Sequence, residues 1–472
     1  MQALLLLVVS LELVAVAVAL SIDPFVVRER QHREQGFDLP YHQRYVKSER
    51  ASSEVKLTLV IAVTQLNVDL MEKLLLNKST VGHASYALPH LNAEDVRGLV
   101  TNLDGVRAVR KYIEKHDGTI VLQSLNEEYL SVSMAVRSVE RAFNTIVWNF
   151  RLVDGLSTSI LRAEQYSLPL SLEAHVAAVF DLVHLPSSNS NVLKVSPATA
   201  PPSFASADQH SDRNFGASCP VIFPESLRRI YGLDVSTASP LASQCVLGSM
   251  KEMFDPQDLA QFQREFHQAD TPIATIYHQS SGRTDGHAYC STNPNDCQEA
   301  SLDVQMMTSM GSAAKSYFYY EKDGLSIDAN NVESDSSFVW FLSNLTAMAD
   351  PPMVVSISYG GPEGDIHPVI LRLFEIESIK LLLRGTTVVA SSGDSGANYS
   401  PDLSFCGYYP QFPSSSRFVL SVGATIGGTE DSLIPTNEVG CSVELGSVIT
   451  SGGGFSGISQ GMPFQRGPVD YY

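Results

Sequence analysis

Two acidic side chains are spaced so that they could act together in catalysis. Glu299 and Asp303 lie four residues apart in QEASLDVQ, so on a helix both carboxyl groups project from one face. Two acids this close repel, and we expect one of them to hold a proton or to have a stabilising partner. The same spacing is common on solvated helix edges, so the pair indicates a site only if a third group joins it.

Asp394 is the candidate for that third group. It lies in ASSGDSG, just after an apolar run that predicts a buried strand. The tetrapeptide Gly393-Asp394-Ser395-Gly396 also resembles the nucleophile motif of trypsin-type proteases. Those enzymes are antiparallel β-barrels with a histidine base, whereas strands and helices alternate around this motif, and motifs transfer only with their structural context. We therefore expect Asp394, and not Ser395, to do the chemistry.

The elements around these residues predict a parallel α/β sheet flanked by helices. Apolar strand patterns alternate with helical ones, which favours parallel strands joined by helical crossovers. The main patterns are strands in 271–278, 353–361 and 386–393 and helices in 298–316, with Asn295 or Asp296 as N-cap, and 367–385, closed by Gly385. Active sites in such sheets lie at the carboxyl ends of the strands. Segments 356–361 and 391–396 lie at two of those ends.

The chain is predicted to contain two domains joined by an exposed linker. Residues 186–218 are rich in Ser, Pro, Ala and Asn, which indicates a protease-accessible joint. The preceding part, 20–185, predicts a small α+β domain of ferredoxin-like type, with a strand at 55–65 and helical patterns at 67–77 and 91–117. The peptidase-like part is 219–472.

Charge and targeting signals limit the partners. Residues 201–472 carry 13 Lys and Arg against 30 Asp and Glu, which argues against nucleic acid as a partner. Residues 1–19 form an apolar signal-peptide pattern ending in Ala17-Val18-Ala19, and no later run is long enough to span a membrane. Secretion or delivery to a lysosome-like compartment follows. It would allow glycosylation at the sequons of Asn77, Asn344 and Asn398, and disulfides such as a local Cys290–Cys297 loop.

Several motifs occur in an order that resembles one known family. They are EASLDVQ (299–305), VVSISYG (354–360), ASSGDSG (390–396), FVLSVGAT (418–425) and SGGGFS (451–456), preceded by EQYSLPLSLEAHVAAV (164–179). Together they resemble the sedolisin family of serine-carboxyl peptidases, especially its tripeptidyl-peptidase members. The segment 164–179 and its surroundings resemble that family's activation prodomain. The resemblance implies a subtilisin-like fold for the second domain.

The resemblance also implies roles for individual residues. Glu299 matches a glutamate that replaces histidine as base, Asp303 the aspartate hydrogen-bonded behind it, and Asp394 the aspartate of the oxyanion hole. A carboxylate base works in acid, where an imidazole would already be charged, and a protonated Asp394 could donate to the oxyanion. Substrate binding is assigned to the glycine motifs, at Ser358, Tyr359, Gly360, Ser451, Gly452 and Gly453. Peptides or proteins are the expected substrates, and the prodomain is the expected intramolecular inhibitor.

The sequence departs from the family in one respect. The family's nucleophilic serine lies in a Gly-Thr-Ser motif, and this sequence has Gly385-Thr386-Thr387 and Gly428-Thr429-Glu430 but no Gly-Thr-Ser. We therefore expect a truncated enzyme that is inactive alone, with calcium ligands beyond residue 472. No CxxC, HExxH or EF-hand pattern predicts a metal within the chain. A catalytically inactive relative that acts as a binding or inhibitory module is the alternative.

Overall fold

The computed structural model describes most of the chain. Residue contacts within the chain group it into two compact units. The described residues are 23–31, 45–152, 159–185, 223–233, 239–249, 252–277, 285–320, 336–397, 410–426, 438–445, 447–465 and 467. The first unit comprises 1–66, 100–185 and 328–332, and the second comprises 67–99, 186–327 and 333–472. The predicted signal peptide and the predicted linker 186–218 lie outside the described residues.

The strands and helices are numbered in chain order. The strands are β1 Phe25–Arg30, β2 Tyr45–Arg50, β3 Lys56–Val63, β4 Thr119–Gln123, β5 Tyr129–Ala135, β6 Val147–Leu152, β7 Ser159–Ala163, β8 Gln165–Pro169, β9 Val176–Phe180, β10 Ser243–Gly248, β11 Ile273–Tyr277, β12 Lys315–Tyr320, β13 Val354–Ile357, β14 Gly361–Pro362, β15 Thr387–Ser391, β16 Gln411–Phe412, β17 Leu420–Val422, β18 Thr425–Ile426 and β19 Val439–Gly440. The helices are α1 Val68–Ser79, α2 Ala93–Val100, α3 Leu103–Lys115, α4 Val136–Ala142, α5 Leu170–Glu173, α6 Pro224–Ile230, α7 Pro256–Glu265, α8 Gly286–Thr292, α9 Gln298–Met310, α10 Ser337–Ala347 and α11 Pro368–Leu383.

The first unit is built on a four-stranded antiparallel sheet. Its strand order is β4-β5-β3-β9, so the two strands that are outermost in sequence lie beside each other in the sheet. That order, with helices between β3 and β4 and between β5 and β9, is the ferredoxin-like arrangement. Apolar residues of β3 and β5 pack with Val109 and Ile113 of α3 and Val139 of α4 in one buried cluster. The predicted α+β fold of this part is confirmed.

The second unit is built on a six-stranded parallel sheet. Its order is β11-β12-β10-β13-β15-β17, and every neighbouring pair is parallel. Its central strands carry buried apolar residues such as Val355, Ile357 and Val388, whereas the three residues of the edge strand β17 are exposed. β13 and β15 are direct neighbours, so their carboxyl ends, 358–361 and 392–396, meet at one edge. The sheet is therefore the one that the alternating pattern predicts.

Two helix boundaries differ from the sequence expectation. The pattern at 91–117 is not one helix but two, because Asn102 turns the chain and caps α3 with its side chain, which accepts from Gly105 N. The helix that carries Glu299 begins after Cys297, so the predicted caps Asn295 and Asp296 are wrong. Both residues belong instead to a short 3-10 turn at Pro294–Asp296. Gly385 does follow α11 in the left-handed conformation, with φ of 90°.

Residues 67–99 lie with the second unit although they fall within the predicted prodomain. Leu91 N donates to Leu383 O at the end of α11. Arg417 Nη1 donates to Glu72 Oε1 of α1 at 3.0 Å. The helical hairpin between β3 and α3 is therefore attached to the parallel-sheet unit by both backbone and charged contacts.

Asn102 should make a measurable contribution to stability. Its Oδ1 accepts from Gly105 N and its Nδ2 donates to Thr64 O, both at 2.9 Å. We expect Asn102→Ala to lower the free energy of unfolding by about 1–2 kcal/mol, measured by urea denaturation. Asn102→Asp keeps the acceptor and should lose less. Equal stability of Asn102→Ala and wild type would contradict this account.

Candidate active site

Three elements of the second unit position the predicted catalytic carboxyls. Glu299 lies in the first turn of α9 and Asp303 one turn further along the same helix. Asp394 follows β15, and Ser358 follows the neighbouring strand β13. Because these two strand ends are adjacent, Asp394 and Ser358 lie at one edge of the sheet. The first turns of α9 bring Glu299 and Asp303 to the same edge.

Ser358 connects the two helix carboxyls. Its Oγ donates to Asp303 Oδ1 at 2.7 Å. The Ser358 side chain also lies near Glu299, where it partly opposes the rise in the pKa of that carboxyl. Asp303 Oδ2 is buried without a hydrogen-bond partner in the described part of the chain. In the described part of the chain Asp303 is therefore hydrogen-bonded to Ser358, and not directly to Glu299 as the family resemblance implies. Its Oδ2, which has no partner there, is suited to carrying a proton.

The pKa of each of these carboxyls is raised. Burial raises the pKa of Glu299, and repulsion from Asp394 raises it further. Burial, followed by the charge of Glu299, raises the pKa of Asp303 well above its ordinary range. Burial alone raises the pKa of Asp394. Because like charges in a low-dielectric site cannot all ionise, the cluster holds protons at a pH where isolated carboxyls have lost them.

Glu252 is a fourth carboxyl that sequence reasoning missed. It is 4% exposed, and its Oε2 accepts from Ala300 N at 3.4 Å, in the first turn of α9. Burial is the main cause that raises its pKa to about 7, with the charges of Glu299 and Asp296 adding to the effect. It thus occupies the helix end where a capping side chain was expected. No local spacing could have indicated it, because the loop after β10 brings it to α9 from far away in the sequence.

The turn that carries Asp394 is fixed by its two glycines. Gly393 and Gly396 have φ of 94° and 68°, a region that side-chain-bearing residues rarely adopt. Ser395 lies between them and pairs through its backbone with Thr450. Two histidines of this unit are engaged elsewhere, since His287 pairs with Asp255 and His367 Nδ1 accepts from Val369 N. The surroundings of Ser395 are those of a parallel α/β sheet, so the trypsin-like interpretation has no structural support.

The six residues assigned to substrate binding differ in their surroundings. Ser358 contacts Asp303, and the Tyr359 side chain is buried. A Cβ on Gly360 would lie 2.3 Å from Phe412 O, and one on Gly452 would lie 1.8 Å from Ser392 O, so both glycines permit close backbone packing. Ser451 Oγ accepts from Ala424 N, whereas Gly453 has open space around it. Their role in substrate binding stays a prediction, and Ser358 acquires an additional contact with the acids.

The predicted modifications have different outcomes. Cys290 and Cys297 form a disulfide, as their spacing suggested. Asn344 is buried in α10 and its Nδ2 donates to Tyr319 Oη at 2.7 Å, so the folded chain leaves no room for a glycan and this prediction is corrected. Asn77 is partly exposed on α1, and Asn398 lies outside the described residues. Over the described segments, no helix combines the length and apolarity that crossing a membrane requires.

Comparisons with known proteins identify relatives of both parts of the chain. Residues 43–185 match the family model described as Pro-kumamolisin, activation domain. Tripeptidyl-peptidase 1 of Homo sapiens is 26% identical over 435 residues, which cover 90% of this chain and 70% of that protein. The Canis lupus familiaris protein of the same name is 27% identical with the same coverage. The solved structure of a Pseudomonas sedolisin, a serine-carboxyl proteinase, has a TM-score of 0.40 at 21% identity over 52% of this chain and 66% of that one.

The parallel sheet with acids at its strand ends defines an α/β protein whose candidate chemistry depends on carboxyl groups. The activation-domain match and the coverage of 90% of the chain by tripeptidyl-peptidase 1 relatives define the class further. The chain is therefore similar over most of its length to tripeptidyl-peptidase 1, and its residues 43–185 match the activation domain found in Pro-kumamolisin.

Glu252 gives the unit a characteristic stability profile. Its folded pKa of about 7 exceeds the ordinary 4.5, so the folded state binds more protons and stability is lost as pH rises from about 4.5 to about 7. We expect Glu252→Gln to remove the loss of stability that the ionisation of Glu252 causes between about pH 4.5 and about pH 7. At pH 7.5 the variant should be more stable than wild type by up to about 3 kcal/mol, since one pK unit is worth about 1.4 kcal/mol.

Urea denaturation at several pH values tests this expectation. Glu265→Gln, which changes an exposed carboxyl on α7, is the matched control and should follow wild type. A Glu252→Gln variant with the wild-type pH profile would show that Glu252 is ionised in the folded chain.

Proposed function

We propose that this chain is the precursor form of a serine-carboxyl peptidase that acts in acid. One observation carries the proposal: Glu299 and Asp303 are partly buried on one face of α9, Ser358 donates to Asp303, and desolvation and the charges of neighbouring carboxyls raise the pKa of both acids. Asp394 supports it from the neighbouring strand. An isolated structural acid pair would be exposed, or paired with basic groups, and would not need protons to be stable.

The proposed mechanism assigns each acid a different protonation state. Glu299 in its ionised form accepts the proton of the nucleophilic serine and later returns it to the leaving amine. Asp303 stays protonated beside it, which the burial of its Oδ2 favours. Asp394 stays neutral and donates to the oxyanion of the tetrahedral intermediate. Rising pH would ionise Asp394 and remove that donor, so activity should fall toward neutral pH.

We propose that the nucleophilic serine lies in sequence outside residues 1–472, because no Gly-Thr-Ser occurs among them. The activity is proposed for a protein that supplies this motif, and residues 1–472 alone are proposed to be inactive. Calcium is likewise proposed from the family, with ligands in the same additional sequence. We propose peptides or proteins as substrates, cleaved by tripeptide release or internally, in a secreted or lysosome-like location.

A catalytically inactive relative is the second candidate. It is favoured by the absence of Gly-Thr-Ser together with the close packing of residues 67–99 on α11, which would suit a stable inhibitory or binding module. The coding sequence beyond residue 472 distinguishes the two candidates. A Gly-Thr-Ser codon run supports the enzyme, and a stop codon supports the module.

Catalysis by the complete enzyme should require Glu299. Glu299→Gln keeps the shape of the side chain and removes the base, so we expect kcat to fall on the order of 10²–10⁴-fold with a peptide substrate in acid. Near-normal turnover would exclude Glu299 as the base.

Ser395→Ala tests the competing nucleophile in the same assay. Ser395 lies next to Asp394 in the glycine-bounded turn, so the variant should fold and keep most of its activity. Complete loss of activity in a correctly folded Ser395→Ala protein would restore the trypsin-like interpretation.

Activation should occur in strong acid. Of the twelve histidines, seven precede the linker, namely His32, His42, His83, His90, His116, His175 and His184, and the sequence after residue 200 is acidic. Histidines gain charge near pH 6.5, before carboxylates neutralise near pH 4, so mild acid strengthens attraction between the two parts. We expect the precursor to cut its own linker within 186–218 only below about pH 4.5.

Incubation of the complete precursor over a pH series, followed by N-terminal sequencing, measures this processing. A variant without the nucleophilic serine is the control and should stay intact. Processing that continues in that variant would show that another protease does the cutting.

A further inference from the structure

The segment 450–452 lies along the turn that carries Asp394. Thr450 N donates to Asp394 O at 2.8 Å, and Gly396 N donates to Thr450 O at 2.9 Å. Gly452 N donates to Gly393 O at 2.7 Å. These three bonds bind the backbone on both sides of Asp394 to one short stretch that comes from far away in the sequence.

Gly452 is the point of closest approach in this contact. A Cβ placed there would lie 1.8 Å from Ser392 O, 2.5 Å from Ser392 C and 3.0 Å from Gly393 O. All three atoms belong to the backbone, so no side-chain rotation could relieve the overlap. Any other residue at 452 would therefore push away residues 392 and 393, and Asp394 follows them directly.

The segment itself is held from its opposite side. Ser451 Oγ accepts from Ala424 N at 2.9 Å, and Ser451 N donates to Cys441 O at 2.9 Å. Ser392 N in turn donates to Val422 O at the end of β17. The Asp394 turn is thus held between β17 and the segment 450–452, and two hydrogen bonds of Ser451 oppose movement of the segment away from the turn.

We propose that Gly452 is a positioning residue whose missing side chain holds the Asp394 turn in the place required for an oxyanion donor. The inference rests on the proposed role of Asp394, and it gives Gly452 a role distinct from direct substrate contact. Gly452 acts through the backbone of residues 392–393, so its replacement should change the environment of the Asp394 carboxyl.

The test follows the titration of Asp394 directly. The complete chain is labelled with ¹³Cγ-aspartate, the Asp394 signal is assigned by its loss in Asp394→Asn, and its midpoint is measured by NMR. In wild type, burial raises the pKa of Asp394. In Gly452→Ala the displaced turn admits water, so the midpoint should move down toward the ordinary aspartate value. Glu299 is the charged neighbour of Asp394, and the titration is repeated in Glu299→Gln to separate its effect.

Gly440→Ala is the matched control because a Cβ at Gly440 meets nothing within 4 Å. It should leave the Asp394 midpoint unchanged. If Gly452→Ala does not fold, Ser451→Ala loosens the same segment by removing one hydrogen bond and should produce a smaller shift in the same direction. An unchanged Asp394 midpoint in a folded Gly452→Ala protein, or in Ser451→Ala when it is the variant used, overturns the proposal.

The complete enzyme provides a second measurement. Displacement of a transition-state donor by about an ångström should lower kcat on the order of 10²-fold with a smaller change in KM. If the complete protein proves inactive, the proposed function fails while the titration still decides the role of Gly452. If Gly452→Ala instead raises KM and leaves kcat unchanged, Gly452 contacts the substrate and the proposal is wrong.

Discussion

The burial of several carboxyl groups at one end of a parallel sheet is the constraint on which the rest of the second unit depends. Ionised carboxylates are costly to remove from water, and the described surroundings of Glu299, Asp303 and Glu252 supply hydrogen bonds but no basic partner for them. Their burial raises their pKa values, so that they hold protons to a higher pH than exposed carboxyls do. A cluster of this kind is a disadvantage for stability at neutral pH, and functional sites are where such costs are commonly found.

The sheet topology explains why these acids meet. β13 and β15 are adjacent and parallel, so the loops that follow them emerge at the same edge. α9 reaches that edge with its first turn, where backbone N–H groups lack partners within the helix. Glu252 accepts from one of them, Ala300 N, so an acid of the cluster also completes the helix end. The hydrogen bond from Ala300 N to Glu252 therefore both caps α9 and brings Glu252 into the cluster of acids.

The sequence predicts those features that depend on local pattern. Strand and helix periodicity identifies the parallel sheet, and the spacing of Glu299 and Asp303 identifies one face of α9. Features that depend on distant contacts are missed. Glu252 reaches α9 through a loop whose course no periodicity reveals, and it replaces the predicted caps Asn295 and Asp296.

Burial is the second kind of information that sequence alone does not supply. The sequon at Asn344 is valid as a pattern, but the apolar residues around it place its side chain in the interior of α10 against Tyr319. Ser358 belongs to a motif whose glycines suggest substrate contact, and only the adjacency of β13 and α9 reveals its bond to Asp303. In both cases the residue type permits two roles, and packing selects one.

An ion pair between Glu72 of α1 and Arg417 attaches residues 67–99 to the parallel sheet's unit, and its loss would leave no buried charge unpaired. Arg417 donates to both oxygens of the buried Glu375, and Ser459 Oγ also donates to that carboxylate. Arg417 contacts Glu72 of α1 as an additional partner, and the Glu72 side chain is partly exposed. Departure of α1 would leave Glu375 fully paired and would return Glu72 to water, so no buried charge would lose its counterion. Because the cost of breaking a buried pair lies mainly in the charge left behind, loss of the Arg417–Glu72 contact alone would cost the second unit little, and the other contacts of residues 67–99 with α11 would have to account for most of their attachment.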